Sequence, residues 1–342
     1  MPLRMRDGKP FELAARGRVS YSRPVTQGKL YLVTGGAGFI GSNIAEALVK
    51  RGNRVRVLDN FVSGLRENLE SIGPCELVEG DLRNEKDVQK AVDGVDGVFH
   101  EAALRSVPRS VDDPTSSNEV NISGTLNLLM ACRAAKVRRV VYASSSSCYG
   151  DDPALPKVET LPTNPISPYA VSKLAAEHYC RTFARLYGLE TVSLRYFNVF
   201  GPRQNPESIY SAVIPRFLEQ ALKREPLEIH GDGLQSRDFT FIDNVVQGNI
   251  RAMETPGVSG EVFNVACNKR QTLLDIAEEI GKFLGRTLER NHVASRAGDV
   301  KHTLADISKA QAKLGYAPTV DFSEGMRRTC DYFVRRFGAA AA

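Results

Sequence analysis

The sequence of 342 residues contains no tryptophan, no apolar run long enough to cross a membrane and no internal repeat. A membrane-spanning helix needs about 20 consecutive apolar residues, and tandem units of about 20–50 residues are the signature of solenoids. We therefore expect neither a membrane protein nor a repeat protein. The absence of tryptophan excludes no function.

Cysteine and histidine are sparse, and neither is arranged as metal sites require. The five histidines show none of the short paired spacings that zinc sites commonly use. The six cysteines form no Cys-x-x-Cys pair and stand at positions 75, 132, 148, 180, 267 and 330. Scattered thiols are typical of proteins in a reducing compartment. We expect a cytoplasmic protein that binds no metal.

Charge of one sign is not in large excess either. The 45 Lys and Arg residues against 40 Asp and Glu residues leave a net charge of +5, which is too small to require nucleic acid but suits a small anionic ligand. Residues 1–27 are rich in arginine and lack the apolar core of a secretory signal. Asp7 and Glu12 argue against an organellar transit peptide, so we expect a loosely ordered N-terminal extension.

Glycine, by contrast, is abundant and concentrated in one informative turn. A β-prone run, Leu30–Thr34, is followed by a GxxGxxG pattern at Gly35, Gly38 and Gly41, and then by helical spacing of apolar residues over 42–49. In dinucleotide-binding turns the first glycine permits the tight turn, the second lets the backbone approach the pyrophosphate, and the third lets helix and strand pack closely. The pattern predicts a dinucleotide site at a helix N-terminus.

The chain continues as alternating strands and helices. A second strand, 54–58, ends at Asp59, which is 24 residues after Gly35 (59 − 35) and close to the spacing of the carboxylate that binds the adenosine ribose. This acid favours NAD over NADP because it repels a 2′-phosphate. Further strands are predicted over 75–79, 96–100 and 140–144. Such repeated units predict an α/β fold with a doubly wound parallel sheet and ligands at the strand carboxyl ends.

A serine run and a Tyr–Lys pair are candidate reacting groups. The run Ser144–Ser147 lies where a predicted strand ends, and Tyr169 and Lys173 stand four residues apart in a helix predicted to reach about residue 187. Residues at that spacing share a helix face. A nearby ammonium and a nicotinium both favour the phenolate and would lower the pKa of Tyr169 toward neutrality, as a general base requires. Taken alone, such a pair also arises by chance.

Together these motifs resemble the extended short-chain dehydrogenase/reductases, over roughly residues 29–335. The resemblance is carried by the glycine turn, by Ser145 with Tyr169 and Lys173, by Asn121, and by the segment from Leu194 to Pro202, which is similar to the nucleotide-sugar branch. It implies a Rossmann domain over 28–195, with later returns near 238–246 and 262–266. A smaller, discontinuous substrate domain would occupy mainly 196–335.

The motifs and the resemblance together imply an NAD site and a catalytic set. The catalytic residues would be Ser145, Tyr169 and Lys173. The cofactor contacts would be Gly35, Gly38, Phe39, Ile40, Gly41, Asp59, Asn60, Ser63, Gly64, Asp81, Leu82, Ala102, Ala103, Arg105, Asn121, Tyr169, Lys173 and Phe197.

The two residues after Ser145 distinguish the types of reaction found within the family. The resembling dehydratases place Asp-Glu there and the resembling hexuronate decarboxylases keep a Glu, whereas this chain has Ser146-Ser147. Simple 4-epimerisation is therefore favoured over dehydration. The likeness is greatest to bacterial UDP-N-acetylhexosamine 4-epimerases, in segments 102–110, 210–215 and 298–306. Thr303 matches the position where a bulky aromatic excludes N-acetylated sugars, so its small size favours an acetylated substrate.

The resemblance also implies a UDP-sugar site, in which arginines pair with the diphosphate. Its residues would be Ser106, Ser145, Ser146, Tyr169, Asn198, Gln204, Ala212, Val213, His230, Arg237, Arg296, Asp299 and Thr303. Arginine suits this role because its guanidinium makes paired, charge-assisted bonds to phosphate. Glu101 and His230 depart from the family pattern.

The sequence thus predicts interconversion of UDP-GlcNAc and UDP-GalNAc, and possible action on UDP-Glc and UDP-Gal, through a 4-keto sugar. In the implied reaction, Tyr169 removes the 4-OH proton while C4 passes a hydride to NAD, and the sugar then turns over. The alternatives are a UDP-glucose or UDP-hexuronate 4-epimerase, or a non-catalytic NAD-binding sensor. Helices near 117–135 and 168–187 correspond to those that pair resembling enzymes into dimers, so we expect a homodimer without nucleic acid or membrane partners.

Overall fold

The computed structural model describes residues 28–205, 212–294 and 301–337. The expected N-terminal extension, residues 1–27, lies outside them. The strands are β1 Leu30–Thr34, β2 Arg54–Asp59, β3 Glu76–Glu79, β4 Gly97–His100, β5 Arg139–Ser145, β6 Glu190–Tyr196, β7 Val199–Phe200, β8 Leu227–His230, β9 Ser236–Arg237, β10 Thr240–Phe241, β11 Glu261–Val265, β12 Gln271–Thr272 and β13 Arg290–Val293.

The helices alternate with these strands through the first half of the chain. They are α1 Phe39–Lys50, α2 Arg66–Glu70, α3 Glu85–Val92, α4 Val107–Asp112, α5 Pro114–Asn118, α6 Gly124–Ala134, α7 Pro168–Tyr187, α8 Val213–Leu222, α9 Ile242–Glu254, α10 Leu273–Leu284, α11 Ser308–Leu314 and α12 Phe322–Phe337. None of the helices within the described ranges is long and apolar enough to cross a bilayer.

Seven strands form one sheet in the order β11-β6-β5-β4-β1-β2-β3, and every neighbouring pair is parallel. Thr34 at the end of β1 is in register with Leu58 on β2 and with His100 on β4. The strand order reverses between β1 and β4, which is where ligands bind in such sheets. The predicted doubly wound Rossmann fold is confirmed.

The sheet is covered on both faces because successive strand residues point in opposite directions. Leu32 packs in the core that contains α3, α6 and α7, whereas Val33 packs in the core that contains α1 and α9. Both side chains are completely buried. The near-continuous apolar strands seen in the sequence are therefore the consequence of burial on both faces.

After β6 the chain builds smaller elements and twice returns to the sheet. Helix α9 packs on β5 and β6, and β11 pairs with β6. The remainder consists of the short pairs β8–β13, β9–β12 and β7–β10, the mutually packed helices α8, α10 and α12, and α11, which packs on β11 and α9. The division into a cofactor domain and a discontinuous substrate domain stays a prediction.

The helix expected over 117–135 is interrupted. Residues Pro114–Asn118 form α5, residues Glu119–Ser123 form a π-helical turn, and α6 begins only at Gly124. A Cβ at position 124 would come within 2.8 Å of the Leu82 Cβ, so glycine permits the close packing there. Such π turns often lie at functional sites, and this one carries Asn121.

Candidate active site

The glycine turn after β1 leaves no room for a side chain at Gly35 or Gly41. Gly35 adopts φ +66°, and a Cβ on it would lie 2.8 Å from the Cα of Ala102. A Cβ at Gly41 would overlap the carbonyl oxygen of Gly35. Helix α1 begins after Gly38 without a side-chain cap, so the N–H groups of its first turn are available to an anion. This cradle fits a pyrophosphate.

Asp59, at the end of β2, is held beside that turn. One carboxylate oxygen accepts a hydrogen bond from the Ala37 N–H at 2.9 Å, and the other accepts one from the Phe61 N–H at 2.8 Å. A Cβ at Gly64 would lie 2.8–2.9 Å from both oxygens, so this glycine leaves room for the carboxylate. Burial raises the pKa of Asp59. The fixed carboxylate retains acceptor sites suited to ribose hydroxyls.

Asp81 places a second carboxylate at the same edge of the sheet as Asp59. Its carboxylate accepts hydrogen bonds from Asn60 at 2.8 Å and from the Arg83 guanidinium at 2.9 Å. The hydrogen bond from Arg83 lowers the pKa of Asp81 to about 2 despite partial burial. It is therefore an ionised acceptor at neutral pH, as recognition of an adenine amino group requires.

These groups line a cavity of about 620 Å³ at the carboxyl ends of β1, β2, β4 and β5. The cavity brings together most of the residues predicted for cofactor and reacting groups. Those that line it are Gly35, Gly38, Phe39, Ile40, Gly41, Asp59, Asn60, Ser63, Asp81, Leu82, Ala102, Ala103, Arg105, Ser106, Ser145, Tyr169, Asn198, Gln204 and Ala212.

Ser145 and Tyr169 lie in this cavity, and Lys173 lies just behind it. Ser145 ends β5, and its Oγ accepts hydrogen bonds from the Ser147 hydroxyl at 2.8 Å and the Ser147 N–H at 3.2 Å. Helix α7 carries Tyr169 and Lys173 on one face. The Lys173 ammonium is buried and donates to the Ala143 carbonyl oxygen at 3.0 Å.

The pKa of Tyr169 differs from the sequence-based expectation. It is raised to about 12 because burial disfavours the phenolate, while hydrogen bonding with Ser145 and the charge of Arg105 act in the lowering direction. Burial also lowers the pKa of Lys173, to about 8. The charge of Arg105 therefore acts on the Tyr169 hydroxyl, while the Lys173 ammonium is hydrogen-bonded to the Ala143 carbonyl oxygen on β5.

A buried ion pair supports the reacting residues from behind. Glu177 on α7 binds the Arg195 guanidinium on β6 through contacts of 2.7 and 3.0 Å, and it accepts a hydrogen bond from the Ser144 hydroxyl at 2.7 Å. The Arg195 guanidinium also lies 4.6 Å from the centre of the Tyr149 ring. These contacts join α7 to the strand ends that present Ser145.

A second cavity of about 240 Å³ adjoins the first. Six residues predicted for substrate line it: Asn198, Gln204, Ala212, Val213, His230 and Arg237. Asn198, Gln204 and Ala212 line both cavities, so the two form a continuous path. Gln204 Oε1 is buried and has no hydrogen-bond partner among the described residues. An acceptor left in this way suits a ligand that brings a donor.

Several predicted site residues do not line either cavity. Gly64 packs against Asp59 instead. Asn121 bonds the Leu104 backbone at 2.8 and 3.1 Å and the Ser172 hydroxyl at 3.0 Å. Phe197 is fully buried, with its ring 6.2 Å from that of Tyr149. Three further predicted residues also lie outside the lining of both cavities: Lys173, Ser146 and Thr303. Arg296 and Asp299 lie outside the described residues.

Sequence patterns did not identify some residues that do line the larger cavity. Arg203 reaches it from the loop after β7 and binds Glu46 on α1 at 2.6 Å and Ser71 at 2.8 Å. Tyr196 at the end of β6 is another. No short-range spacing marks either residue, because their positions depend on strands and loops far apart in the chain. Glu101 also lines this cavity. It could have been singled out from the sequence, because it departs from the family pattern.

Comparison with known proteins shows consistent similarity. The sequence profile of the NAD-dependent epimerase/dehydratase family matches residues 31–266. The chain is 38% identical over 312 residues to a UDP-glucose 4-epimerase of Mycolicibacterium smegmatis, which covers 88% of this chain and 97% of the relative.

Solved structures agree over most of the chain. A UDP-N-acetylglucosamine 4-epimerase from Methanobrevibacter ruminantium, in complex with UDP-N-acetylmuramic acid, is 40% identical with a TM-score of 0.87, covering 91% of this chain and 99% of that one. A UDP-glucuronic acid 4-epimerase from Bacillus cereus, in complex with UDP-glucuronic acid and NAD, is 36% identical with a TM-score of 0.84, covering 90% and 99%.

Proposed function

The chain belongs to the NAD-dependent epimerase/dehydratase family, and from that premise we propose that it is a UDP-sugar 4-epimerase that interconverts UDP-GlcNAc and UDP-GalNAc. The observation that carries the proposal is that Ser145 and Tyr169 line the same cavity as the glycine turn and Asp59. A second cavity, continuous with the first, leads away from these reacting groups and can accept the nucleotide of the substrate.

The described residues fit NAD. The turn from Gly35 to Gly41 would hold the pyrophosphate, Asp59 the adenosine ribose, and Asp81 the adenine. When bound, NAD supplies a hydride acceptor for the sugar C4 and returns the hydride to the opposite face.

The chain's own residues would transfer the proton and hold the substrate. Tyr169 would take the proton of the sugar 4-hydroxyl and later return it, and Ser145 would hydrogen-bond the same oxygen. Lys173 would keep positive charge behind the site. Asn198 and Arg237 would hold the diphosphate, since both line the second cavity. A firm hold on the nucleotide leaves the sugar free to turn over between the two half-reactions.

The preference for an acetylated sugar rests on Thr303. Its hydroxyl lies 3.3 Å from the Asn198 side chain, which lines both cavities, and 3.4 Å from the Asp238 N–H. A bulky aromatic at position 303 would therefore press on Asn198 and narrow the path to the sugar. Because Thr303 itself lines neither cavity, we infer that its small size acts through Asn198, which stays clear of the space an N-acetyl group would need.

A UDP-hexuronate is the second candidate, and Arg105 favours it. A 6-carboxylate calls for a cationic partner, and guanidinium pairs well with carboxylate. Arg105 lines the cavity beside Tyr169, and its charge acts on the Tyr169 hydroxyl. The relative from Bacillus cereus was solved with UDP-glucuronic acid.

Assays with acetylated, plain and uronic UDP-sugars test the substrate proposal. We expect the highest kcat/KM with UDP-GlcNAc. Thr303→Tyr should lower that value by about 10–200-fold, the range by which pocket shape discriminates, and should spare UDP-glucose. Thr303→Ser is the matched control and should behave like the parent. Unchanged turnover of UDP-GlcNAc in Thr303→Tyr would show that position 303 is not a size gate.

The same panel decides the second candidate. If UDP-glucuronate is the best substrate of the parent protein and Arg105→Gln removes that preference while UDP-glucose turnover persists, the protein is a UDP-hexuronate epimerase. If none of the three sugars is epimerised by protein with bound NAD, the 4-epimerase proposal is wrong and a sensor role is favoured.

We also propose that the protein is a homodimer through α6 and α7. Val171, Tyr179 and Leu186 lie within one side of α7 by helical spacing, and each is exposed, as is Met130 on neighbouring α6. Exposed apolar side chains clustered in this way are typical of a protein interface.

Light scattering tests the dimer. The parent protein should show about twice the chain mass of 37.5 kDa, and Leu186→Glu should shift it toward a monomer because a charge would be buried in the interface. Leu234→Glu is the control, since Leu234 is similarly exposed but lies in the loop between β8 and β9. A parent protein that is monomeric at micromolar concentration would contradict the proposal.

A further inference from the structure

We propose that Asp238 is a positioning residue that holds Asn198, Arg237 and Thr303 in one arrangement, so that the second cavity is formed before the nucleotide of the substrate binds. This inference rests on the proposed function, because it takes that cavity as the nucleotide site. Its structural part can be measured by binding alone, without turnover.

Asp238 lies at the centre of the smaller elements that follow β6. It stands between β9, which ends at Arg237, and β10, which begins at Thr240. The residue is completely buried. Burial of a carboxylate is costly unless hydrogen bonds replace those lost with water, so the partners of this side chain indicate its role.

The carboxylate of Asp238 joins two segments that are far apart in the chain. Its Oδ1 accepts a hydrogen bond from the Cys267 N–H at 2.9 Å, and its Oδ2 accepts one from the Ala305 N–H at 3.2 Å. Cys267 follows β11 of the main sheet, whereas Ala305 precedes α11. Both carboxylate oxygens are thus bound by backbone donors, and the side chain fixes the end of β11 relative to segment 303–305.

The backbone of Asp238 contacts two of the predicted substrate residues. Its N–H donates to the Thr303 hydroxyl at 3.4 Å, and its carbonyl oxygen accepts a hydrogen bond from the Asn198 side chain at 3.4 Å. The Asn198 amide also donates to the Thr303 hydroxyl at 3.3 Å. Asp238, Asn198 and Thr303 therefore form a closed triangle of hydrogen bonds.

The same segment orients Arg237, which directly precedes Asp238. The Ser236 N–H donates to the Lys301 carbonyl oxygen at 2.9 Å, and the Arg237 guanidinium donates to that same oxygen at 2.9 Å. Asn198 and Arg237 both line the second cavity. The contacts around Asp238 therefore set the spacing of the two side chains that we propose hold the diphosphate.

The backbone of Asn198 depends on this support. It adopts φ +33°, in the sparsely populated left-handed region, which is strained for a residue other than glycine. Its carbonyl oxygen accepts a hydrogen bond from the N–H of Thr240, two residues after Asp238, at 3.2 Å. The segment at Asp238 thus holds Asn198 through both its side chain and its main chain, and loosening that segment should displace Asn198 from the cavity.

Asparagine at position 238 separates this role from simple filling of space. Asp and Asn have nearly the same size, but the amide has one acceptor oxygen and one NH₂ donor. Because both carboxylate oxygens face backbone N–H groups, one of these groups would meet the NH₂ and lose its bond. We therefore expect Asp238→Asn to release either the end of β11 or segment 303–305, and to loosen the triangle.

Calorimetric titration with UDP, on the full-length protein with its bound NAD, tests the proposal. We expect Asp238→Asn to raise the Kd for UDP by about 10-fold, as the loss of one buried hydrogen bond to a charged group implies. In assays with UDP-sugar, KM should rise by a similar factor while kcat changes little. A variant that is merely less stable would have a smaller active fraction, which lowers the apparent kcat and leaves KM and Kd unchanged.

Bound NAD should be retained by Asp238→Asn. The hydrogen bonds of Asp238 described above lead to segments after β6, whereas the glycine turn, Asp59 and Asp81 all precede β4. Loss of NAD from this variant, measured by chromatography of the released nucleotide, would mean that its effect is not confined to the second cavity and would overturn the proposal.

Asp306→Asn is the matched control, because its Oδ1 accepts the Ser308 N–H at 2.7 Å and an amide oxygen can accept the same bond. It should bind UDP like the parent. If Asp238→Asn fails to fold, Asp238→Ser replaces it with the same expectation, since one hydroxyl cannot accept both backbone N–H groups. A Kd for UDP that is equal in the parent and in the position-238 variant overturns the proposal.

Binding and turnover together separate this inference from the proposed function. A parent protein that binds UDP but epimerises no UDP-sugar would refute the proposed function, and a raised Kd in Asp238→Asn would still support the positioning role. A parent protein that epimerises UDP-sugars, with an unchanged KM in Asp238→Asn, would support the proposed function and overturn the role of Asp238.

Discussion

Replacing Tyr169 with phenylalanine is expected to lower kcat for 4-epimerisation by about 10²–10⁴-fold, the contribution typical of a general base. The substitution removes the hydroxyl that lies in the cavity with Ser145 and leaves the ring in place. Its backbone anchor, the hydrogen bond from the Tyr169 N–H to the Ser110 hydroxyl at 3.0 Å, does not involve the lost atom. Stability should therefore change little.

The Tyr169 hydroxyl needs positive charge nearby to act as a base. Burial raises its pKa to about 12, so the phenol form predominates at neutral pH, and a cation near the hydroxyl favours the phenolate. Arg105 acts in that direction within the cavity. A phenylalanine at position 169 has no hydroxyl on which this charge can act.

Initial rates with saturating UDP-sugar check this prediction, and chromatographic detection of the epimeric UDP-sugar after long incubation would reveal residual turnover. Tyr332→Phe is the control, because Tyr332 lies on α12 and lines neither cavity. Tyr332→Phe should retain the parent rate. A Tyr169→Phe protein with near-parent turnover would show that another group is the base.

Replacing Glu177 with alanine is expected to cost about 3–5 kcal/mol of the free energy of unfolding, because it leaves the buried Arg195 charge without its partner. The pair is almost completely buried, with side chains 1% and 5% exposed. The Ser144 hydroxyl would also lose its acceptor. Urea denaturation should show a lower midpoint.

The exposed pair between Asp331 and Arg335 provides the control. It has a similar contact, 2.8 Å, but its side chains are 40% and 79% exposed, so Asp331→Ala should cost no more than about 1 kcal/mol. The double variant Glu177→Leu with Arg195→Met should recover much of the loss, since it removes both charges. A Glu177→Ala protein as stable as the parent would mean that Arg195 is solvated or paired elsewhere.

The fold could be predicted from short stretches of sequence because local rules govern its repeating units. The β1 bounds, Leu30–Thr34, agree with the prediction, and the other predicted strands of the sheet agree to within one residue at either end. Strands buried on both faces are apolar throughout and are bounded by turn residues, so a single window of sequence identifies them. The predicted helix over 117–135 was the exception, because a π turn interrupts it at Glu119–Ser123, where Asn121 bonds Leu104 and Ser172.

The glycine turn and Asp59 belong to the same group of local predictions. Gly35 needs a positive φ and Gly41 has no room for a side chain, and both requirements arise within one strand–turn–helix unit. Spacing alone was enough to locate them. The roles of the individual site residues remain predictions that the variants above test.

The electrostatics of the site depended on contacts that only the folded chain makes. Sequence spacing placed Lys173 on the same helix face as Tyr169, and the structure shows that its ammonium donates to the Ala143 carbonyl oxygen on β5, 30 residues earlier in the chain. Likewise, Arg105 acts on Tyr169 from another loop. A residue's periodicity identifies its secondary structure, but its pKa depends on burial and on every charge nearby. Those neighbours come from distant strands that meet at one edge of the sheet.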